Sequence, residues 1–321
     1  MKKEGATGMK GKVVSCRSKN WMIKLSFSVD NFIIKILAVA FLLMLICPTA
    51  HAESLFIMGW DAAGMNNVVP LLEQGKLPNL KSLIDNGGCL THIENITCTY
   101  TTPNWTEAFT GLSYDQSGAK SNGTWKVVPY ENTIVKAIQD KGHKIGWFVS
   151  KERLNTNFST SSLANIALRA DSYQFLSSQK NDNYIVTLAQ RAISFIQQNA
   201  EYLIFLHVNP DYYGHKYGEN SARYLYEFER ADYWLGQILS NIDRMNTRVI
   251  VVSDHGFDEG TFDHPNAPDN FMAADIPLKS FYCTGETTGT MRDIANTILE
   301  YYGIDWTSRK TTMRGKSLLQ N

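Results

Sequence analysis

Short apolar runs recur along the chain and predict the strands of a buried sheet. The clearest lie at residues 54–60, 145–149, 202–206 and 249–252. Runs of this length without alternating polar positions are typical of strands covered on both faces, as in a parallel sheet. A weakly alternating stretch at residues 90–96 and an apolar stretch at residues 276–282 predict two more strands.

Segments with apolar residues at helical spacing separate these runs. They lie at residues 80–85, 106–109, 132–140, 184–198, 222–242 and 291–302. Residues 151–183 are polar and poorly periodic, which indicates loops with short helices, and residues 257–275 indicate a loop long enough to carry function. Because strands and helices alternate, the chain is predicted to form an α/β domain, with a mostly parallel central sheet between two helical layers.

The first 52 residues are predicted to be a leader that does not belong to this domain. Lysines precede an apolar run at residues 36–46, and Ala50-His51-Ala52 follows it as a cleavage signal. This is the layout of a secretory signal peptide that is cleaved after Ala52. A transmembrane anchor is the alternative, but the run is shorter than the ~20 residues that a spanning helix needs. We therefore expect an exported protein, periplasmic or secreted, with no stable membrane anchor and a single domain at residues 53–321.

The stretch before the apolar run is long for a signal peptide, so Met22 is an alternative start. Removing residues 1–52 takes away eight basic and two acidic residues, which leaves 23 basic and 29 acidic residues and a net charge of −6. A domain with this charge lacks the basic surface that binds a nucleic acid duplex. Three cysteines remain, Cys89, Cys98 and Cys283, and they allow one disulfide within the chain. Cys89–Cys98 is one candidate pair.

Carboxylate, imidazole and hydroxyl side chains follow the predicted strands. The residues concerned are Asp61, Thr101, Asp211, His215, Asp254, His255 and His264. In open α/β sheets, ligands bind beyond the carboxyl ends of the strands. Imidazole with carboxylate suits Zn²⁺, and less specifically Mn²⁺ or Fe²⁺. Carboxylates held close together repel one another, and bound divalent cations relieve that repulsion.

The number of these groups indicates two ions. Three aspartates and one ionised threonine hydroxyl carry four negative charges, which two divalent cations neutralise. Two ions ~4 Å apart stabilise both the attacking and the leaving oxygens of a displacement at phosphorus. The Asp211 to His215 spacing matches one helical turn, whereas Pro210 and Gly214 favour a loop, and either geometry brings both side chains to one ion. His92, His143 and His207 match no motif and are interpreted as structural or surface residues.

These motifs together resemble the alkaline phosphatase superfamily. They are Asp61, Thr101-Thr102-Pro103-Asn104, Asp211 with Gly214-His215, Ser253-Asp254-His255-Gly256 and His264. The most similar branch is the type I phosphodiesterase/nucleotide pyrophosphatase group, and the resemblance covers nearly all of residues 53–321. It implies an alkaline phosphatase-like fold and a metal-dependent phosphoric ester hydrolase that holds two divalent ions, with zinc favoured. Its substrate would be a small phosphate or phosphonate ester.

The resemblance also implies a role for each residue. Thr101 would be the nucleophile and form a covalent phosphothreonine, with Thr102 as the nearest alternative. Asn122 would donate to a phosphoryl oxygen; its structural alternative is a turn residue. One ion would be bound by Asp61, Thr101, Asp254 and His255, and the other by Asp211, His215 and His264.

Departures from the family pattern bear on the substrate. Eight residues separate His255 from His264, where the nucleotide pyrophosphatases carry a large insertion, so a minimal core without a large cap is expected. Thr101 cannot be converted to formylglycine, which argues against a sulfatase. The cations nearest in sequence to Thr101 are Lys120 and Lys126, and no arginine is near. On that ground we expect diesters or phosphonate monoesters to be preferred to phosphate monoesters.

Three alternatives to this function stay open at the level of sequence. Two belong to the same superfamily: a phosphatase, and a transferase that moves a phospho head group to another acceptor. The third is an inert metal-binding protein on the same scaffold.

Overall fold

A sheet of eight strands forms the centre of the part of the chain that the computed structural model describes, residues 54–96, 98–123, 128–155, 162–305 and 313–320. The predicted leader and Lys126 lie outside these ranges. The strands are β1 (Ser54–Trp60), β2 (Cys89–Glu94), β3 (Lys144–Val149), β4 (Ser172–Phe175), β5 (Tyr202–Val208), β6 (Thr247–Ser253), β7 (Asn270–Ala274) and β8 (Gly289–Thr290). Their order is β4-β3-β5-β1-β6-β7-β2-β8, and β7 runs antiparallel to both neighbours while the other pairs are parallel. The prediction of a mostly parallel sheet is confirmed.

Helices lie on both faces of this sheet. They are α1 (Met65–Glu73), α2 (Pro78–Asp85), α3 (Thr101–Thr110), α4 (Tyr114–Ser117), α5 (Ile134–Asp140), α6 (Ser162–Arg169), α7 (Tyr184–Gln198), α8 (Pro210–Tyr217), α9 (Ala222–Leu239), α10 (Ser280–Cys283) and α11 (Met291–Tyr301). None of the helices in the described ranges is both long enough and apolar enough to span a lipid bilayer.

Side chains of β1 alternate between two separate cores. Leu55 and Ile57 pack in the core that contains α3 and α11, whereas Phe56 and Met58 pack in the core that contains α7 and α9. Buried residues line both faces of β1 because helices cover each face, as the continuous apolar run predicts. The predicted three-layer α/β/α arrangement is confirmed.

Helix α3 lies close to the sheet because β1 contains a glycine. An added Cβ at Gly59 would lie 2.7 Å from Cη2 of Trp105 and 2.8 Å from the ring of Phe205. The missing side chain leaves room for Trp105, which anchors α3 over the sheet. Helix α3 begins at Thr101, upstream of the predicted helix at 106–109, so this packing also fixes the position of Thr101.

The sequence-based assignment is wrong in the segment around β7. Residues 270–274, predicted as loop, form β7, and residues 276–282, predicted as a strand, form an isolated bridge at Leu278 followed by α10. The chain leaves the sheet after β7 because Asp275 turns back towards β6, where its Oδ1 accepts from Val249 N at 2.6 Å. Strand β4, within the segment predicted as loops and short helices, is a second element that the sequence pattern missed.

A disulfide joins β2 to α10. It pairs Cys89 with Cys283 across 194 residues, with the two Cα atoms 5.3 Å apart. Cys98 lies outside this bond, so the candidate pair Cys89–Cys98 is wrong. Cys89 and Cys283 meet because β2, early in the chain, pairs with the late strands β7 and β8.

Candidate active site

The candidate site lies where three central strands end side by side. Trp60, the last residue of β1, pairs with Val208 near the end of β5 and with Ser253 at the end of β6. Because the strands are parallel and in this register, the residues that follow them lie at one edge of the sheet. Asp61 and Asp254 follow β1 and β6 directly, and Asp211 lies in the first turn of α8, which begins after β5.

One group of potential metal ligands consists of Asp211, His215 and His264. Asp211 and His215 lie one turn apart on α8, so the segment is helical despite Pro210 and Gly214. Oδ1 of Asp211 lies 3.3 Å from Nε2 of His215 and 3.5 Å from Nε2 of His264. The three ligand atoms lie within 4.8 Å of one another.

A second group consists of Asp61, Asp254 and His255, all fully buried. Nε2 of His255 lies 3.4 Å from Oδ1 of Asp61 and 3.7 Å from Oδ2 of Asp254. Oγ1 of Thr101 lies 3.3 Å from the same Nε2. The structure thus brings together the two sets of residues that the family resemblance implies.

Buried carboxylate oxygens without hydrogen-bond partners show that both groups suit a cation. Oδ1 of Asp211 and Oδ2 of Asp254 are buried, and neither has a hydrogen-bond partner within the described residues. Burying such an oxygen is costly unless a cation or a donor compensates it. Carboxylate with imidazole is a ligand set for Zn²⁺, Mn²⁺ or Fe²⁺. The residues therefore fit two divalent ions, one at each group.

Backbone carbonyls orient two of the imidazoles. Nδ1 of His215 donates to the carbonyl of Phe262 at 2.7 Å, and Nδ1 of His255 donates to the carbonyl of Gly256 at 3.0 Å. A carbonyl only accepts, so each Nδ1 carries the proton. When these rings are neutral, Nε2 faces the site with a free lone pair, which is the form that binds a metal.

His207 is a site residue that the sequence analysis missed. It is fully buried in β5, where Nε2 donates to Oδ2 of Asp61 at 2.9 Å and Nδ1 lies 3.0 Å from Oγ of Ser150. The contact holds one oxygen of Asp61 and leaves the other facing the second group of ligands. A histidine inside an otherwise apolar strand was the available signal, because a buried imidazole needs partners.

Ala62 has backbone geometry that is unusual for a residue with a side chain. Its φ is 63°, in the left-handed region, which costs on the order of 1 kcal/mol or more for a residue other than glycine. Its N–H donates to Oδ1 of Asp254 at 3.1 Å, and its carbonyl accepts from the hydroxyl of Tyr224. The turn after β1 thus connects the segment that carries Asp61 to the side chain of Asp254.

The structure distinguishes Thr101 from Thr102. Thr101 is the first residue of α3, and its hydroxyl faces His255. The hydroxyl of Thr102 is buried and has no hydrogen-bond partner within the described ranges. Asn122 lies beside this helix terminus, where its Oδ1 accepts from Thr102 N at 3.0 Å. Asn122 is therefore close to Thr101, and its contact in this structure is to the backbone.

Lys151 is the second site residue that the sequence analysis missed. Its Nζ donates to Oγ1 of Thr101 at 2.6 Å, to Oδ1 of Asp61 at 2.9 Å and to Oδ2 of Asp211 at 2.8 Å. The lysine lies 50 residues from Thr101 in sequence but follows the end of β3, beside β5. A polar residue at the end of a predicted strand was the available signal.

Lys151 thus supplies a cation beside Thr101 that is not among the residues close to Thr101 in sequence. The first two cations downstream of Thr101 in sequence are Lys120 and Lys126. Of those, Lys120 is exposed and pairs with Asp115 at 3.1 Å, and Lys126 lies outside the described residues. The expected preference for diesters or phosphonate monoesters stays a prediction.

Burial and the charges of neighbouring groups shift the pKa values of the ligand residues. Burial raises the pKa of Asp254 to about 7, with a further contribution from the charge of Asp61. Burial opposes a charged His255, but Asp254 and Asp61 together raise its pKa to about 9. Burial also raises the pKa of Asp61, yet the charge of Lys151 and hydrogen bonds from His207 and His255 hold that pKa well below its usual value. A divalent ion binds here only as these groups release protons.

The fold and the two carboxylate–imidazole groups match the arrangement that the family resemblance implies. Residues 56–280 match the family model for type I phosphodiesterase/nucleotide pyrophosphatase. The chain belongs to this family, a family of phosphoester hydrolases, and the resemblance predicted from its motifs is confirmed.

Similar proteins share parts of the sequence or the fold. A 2,3-bisphosphoglycerate-independent phosphoglycerate mutase of Halobacterium salinarum is 32% identical over 126 residues, which span 37% of this chain and 23% of the mutase. A putative sulfatase from Bacteroides thetaiotaomicron has a TM-score of 0.62 at 11% identity, covering 83% of this chain and 74% of the sulfatase. The lipoteichoic acid synthase LtaP from Listeria monocytogenes has a TM-score of 0.56 at 13% identity, covering 80% and 73%. The two solved structures share the fold.

Proposed function

We propose that this protein hydrolyses phosphoric esters through a covalent phosphothreonine on Thr101. The observation that carries the proposal is the position of this hydroxyl. Thr101 Oγ1 is buried, lies 3.3 Å from Nε2 of His255, and is joined through Lys151 Nζ to a carboxylate of each ligand group. A nucleophile held between two sets of metal ligands is suited to in-line attack on a bound phosphoryl group.

Each ligand group would hold one divalent ion. Asp211, His215 and His264 would bind one, and Asp61, Asp254 and His255 would bind the other, with Thr101 as a further ligand. Two divalent ions, for which zinc is favoured, supply positive charge that favours an ionised hydroxyl and a phosphoryl anion. The N-terminus of α3 adds positive partial charge at Thr101.

Two displacements complete the reaction. Thr101 Oγ1 attacks phosphorus, the bond to the ester oxygen breaks, and the proton lost from Oγ1 ends on the departing alcohol. A water molecule then attacks phosphorus, the bond to Oγ1 breaks, and one proton of the water returns to Oγ1, which restores the threonine. Asn122 lies near enough to the start of α3 for its amide to donate to a phosphoryl oxygen. Two inversions predict net retention of configuration at phosphorus.

Trapping the intermediate tests this proposal. The zinc-loaded protein is mixed with 4-nitrophenyl phosphate, quenched in acid within the first turnover, and digested for mass spectrometry. We expect a phosphoryl adduct on Thr101. An adduct on Thr102 would contradict the assignment of the nucleophile. Retention at a chiral phosphorus supports the intermediate, and inversion argues for direct attack by water.

We also infer that the protein is exported. The Cys89–Cys283 disulfide supports this location, because disulfides persist mainly in oxidising compartments, and the predicted leader supports it independently. Protein recovered from its native host should begin at Glu53 when its N-terminus is sequenced. A chain that retains residues 1–52 would contradict cleavage after Ala52.

A further inference from the structure

We propose that Glu219 is a positioning residue that fixes His264 for metal binding in the Asp211 group, which consists of Asp211, His215 and His264. Glu219 is buried, follows α8 after Gly218, and belongs to none of the motifs that carry the family resemblance. The inference rests on the proposed function, because it concerns one of the two ligand groups. It assigns a role to a buried carboxylate that the mechanism does not use.

The imidazole of His264 is held differently from those of His215 and His255. Backbone carbonyls accept from Nδ1 of His215 and from Nδ1 of His255. Nδ1 of His264 is buried and has no hydrogen-bond partner among the residues that the structure describes. A ligating imidazole is normally oriented by such a partner. The ring of His264 instead takes its position from the backbone that carries it, so the support of that backbone matters.

This backbone forms a compact turn of residues 258–266, named here the His264 turn. Asn266 N donates to Oδ1 of Asp258 at 2.9 Å, and Asp258 N donates to the carbonyl of Asp263 at 3.1 Å. His264 N donates to Oδ1 of Asp263 at 2.9 Å. These bonds close the turn on itself, so it moves as one unit. Apart from Asp258 and His264 its residues are exposed, so hydrogen bonds to neighbouring elements hold it rather than apolar packing.

Glu219 makes two of these hydrogen bonds. Its N–H donates to the carbonyl of Thr261 at 2.9 Å, and its Oε2 accepts from Gly260 N at 3.0 Å. The carbonyl of Phe262, in the same turn, is the group that accepts from Nδ1 of His215. Glu219 therefore fixes both the backbone that carries one histidine of the Asp211 group and the carbonyl that orients the other.

The carboxylate of Glu219 is in turn held by α1. Its Oε1 accepts from Nδ2 of Asn67 and, at 3.4 Å, from Nδ2 of Asn66. Asn67 is itself buried. Each oxygen of the carboxylate thus accepts from an N–H group, so an amide in its place would set one donor against another. An unsatisfied pair of this kind is costly when it is buried.

A simpler role for Glu219 is to stabilise the fold as a whole. Both roles allow a substitution to lower the unfolding temperature, but only the positioning role affects one ligand group and spares the other. Asp254 and His255 directly follow β6, where the hydroxyl of Ser253 donates to the carbonyl of His255 at 2.7 Å. The Asp61 group (Asp61, Asp254 and His255) therefore has its own support.

Zinc affinity in variants that keep one ligand group intact provides the test. Asp254→Asn leaves the Asp211 group, Asp211→Asn leaves the Asp61 group, and the zinc Kd of each is measured by competition with a chromophoric chelator. Adding Glu219→Gln should raise Kd at least about 10-fold in the Asp254→Asn background and less than about twofold in the Asp211→Asn background. Equal changes in the two backgrounds, or an unchanged Kd in the first, would overturn the inference.

Glu259→Gln is the matched control. Glu259 is an exposed carboxylate of the same turn, and the substitution makes the same chemical change. Both Kd values should stay within about twofold of those measured without it. A tenfold rise in the Asp254→Asn background with this control would show that any loss of charge near the turn weakens zinc binding, and would also overturn the inference.

A second substitution separates hydrogen bonding from packing. Combining Asn67→Asp with Glu219→Gln exchanges the donor and the acceptor, so the introduced amide donates to the introduced carboxylate while its oxygen still accepts from Gly260 N. In the Asp254→Asn background, Kd should return to within about threefold of its value with Glu219 and Asn67 intact. If the combined variant binds zinc as weakly as Glu219→Gln alone, the hydrogen bonds are not what positions His264.

Asn67→Ala serves as the second variant if Glu219→Gln does not fold, because it removes a donor that holds Oε1. It should raise Kd at least about threefold in the Asp254→Asn background and less than about twofold in the Asp211→Asn background, and the absence of this difference would overturn the inference. If Asp254→Asn binds no zinc while Glu219 is intact, the ligand group and the proposed function fail, and this inference with them. If it binds zinc and Glu219→Gln leaves Kd unchanged, only the role of Glu219 fails.

Discussion

Replacing Thr101 with alanine should lower kcat/KM at least about 10³-fold while the protein keeps its bound zinc. The loss is expected because the attacking oxygen, which lies 3.3 Å from Nε2 of His255, is removed. Metal is retained because each ligand group still has three protein ligands. The measurements are kcat/KM with 4-nitrophenyl phosphate and zinc content by plasma mass spectrometry on the same sample.

The adjacent threonine provides the matched control. Thr102→Ala removes a buried hydroxyl that has no hydrogen-bond partner in the described ranges and leaves the N–H that donates to Asn122. Activity should stay within about tenfold of wild type, since only packing changes. If Thr101→Ala stays active and Thr102→Ala does not, Thr102 is the nucleophile.

The second large effect is expected from removing one carboxylate of either ligand group. Asp211→Asn and Asp254→Asn should each lose about one equivalent of zinc and about 10³-fold in kcat/KM, because one ion contributes several kcal/mol to the transition state. The remaining group keeps its own ion in each variant. Zinc content and activity are measured after gel filtration in the absence of free metal.

Thermal unfolding gives an independent measure of the same loss. Zinc at 100 times its Kd stabilises the folded state by about 2.7 kcal/mol for each site, so each variant should show about half of the zinc-dependent stabilisation of wild type. Asp115→Asn is the control, because Asp115 is exposed, pairs with Lys120 and belongs to neither ligand group. Two equivalents of zinc in either ligand variant would contradict the assignment of that aspartate.

The strands that carry the candidate ligands were predictable because their residues are buried on both faces. Strands β1 and β6 follow from continuous apolar runs, and Asp61 and Asp254 follow from their position directly after such runs. The family resemblance added what apolar patterns do not contain, namely which aspartate shares an ion with which histidine. The structure brings these side chains together, and metal analysis of the variants above is what tests the assignment.

The remaining features depend on contacts between distant parts of the chain. Lys151 and His207 reach Asp61 because β3, β5 and β1 are neighbours in the sheet, and that order is not visible in a local pattern. The disulfide likewise depends on β2 lying beside β7 and β8. Strand β7 was missed because its sequence, NFMAA, has no β-branched residue and two alanines, which are depleted in strands.

The two ligand groups differ in their exposure to solvent, and this difference bears on how fast their ions exchange. The side chain of His215 is 42% exposed, whereas Asp61, Asp254 and His255 are fully buried. A chelator or a competing metal should therefore reach the Asp211 group first. An ion at the Asp61 group should exchange more slowly, because exchange there requires local opening of the folded protein. Slow dialysis against a chelator should pass through a half-loaded species, and mixed-metal forms should be prepared by adding the slow-exchanging ion first.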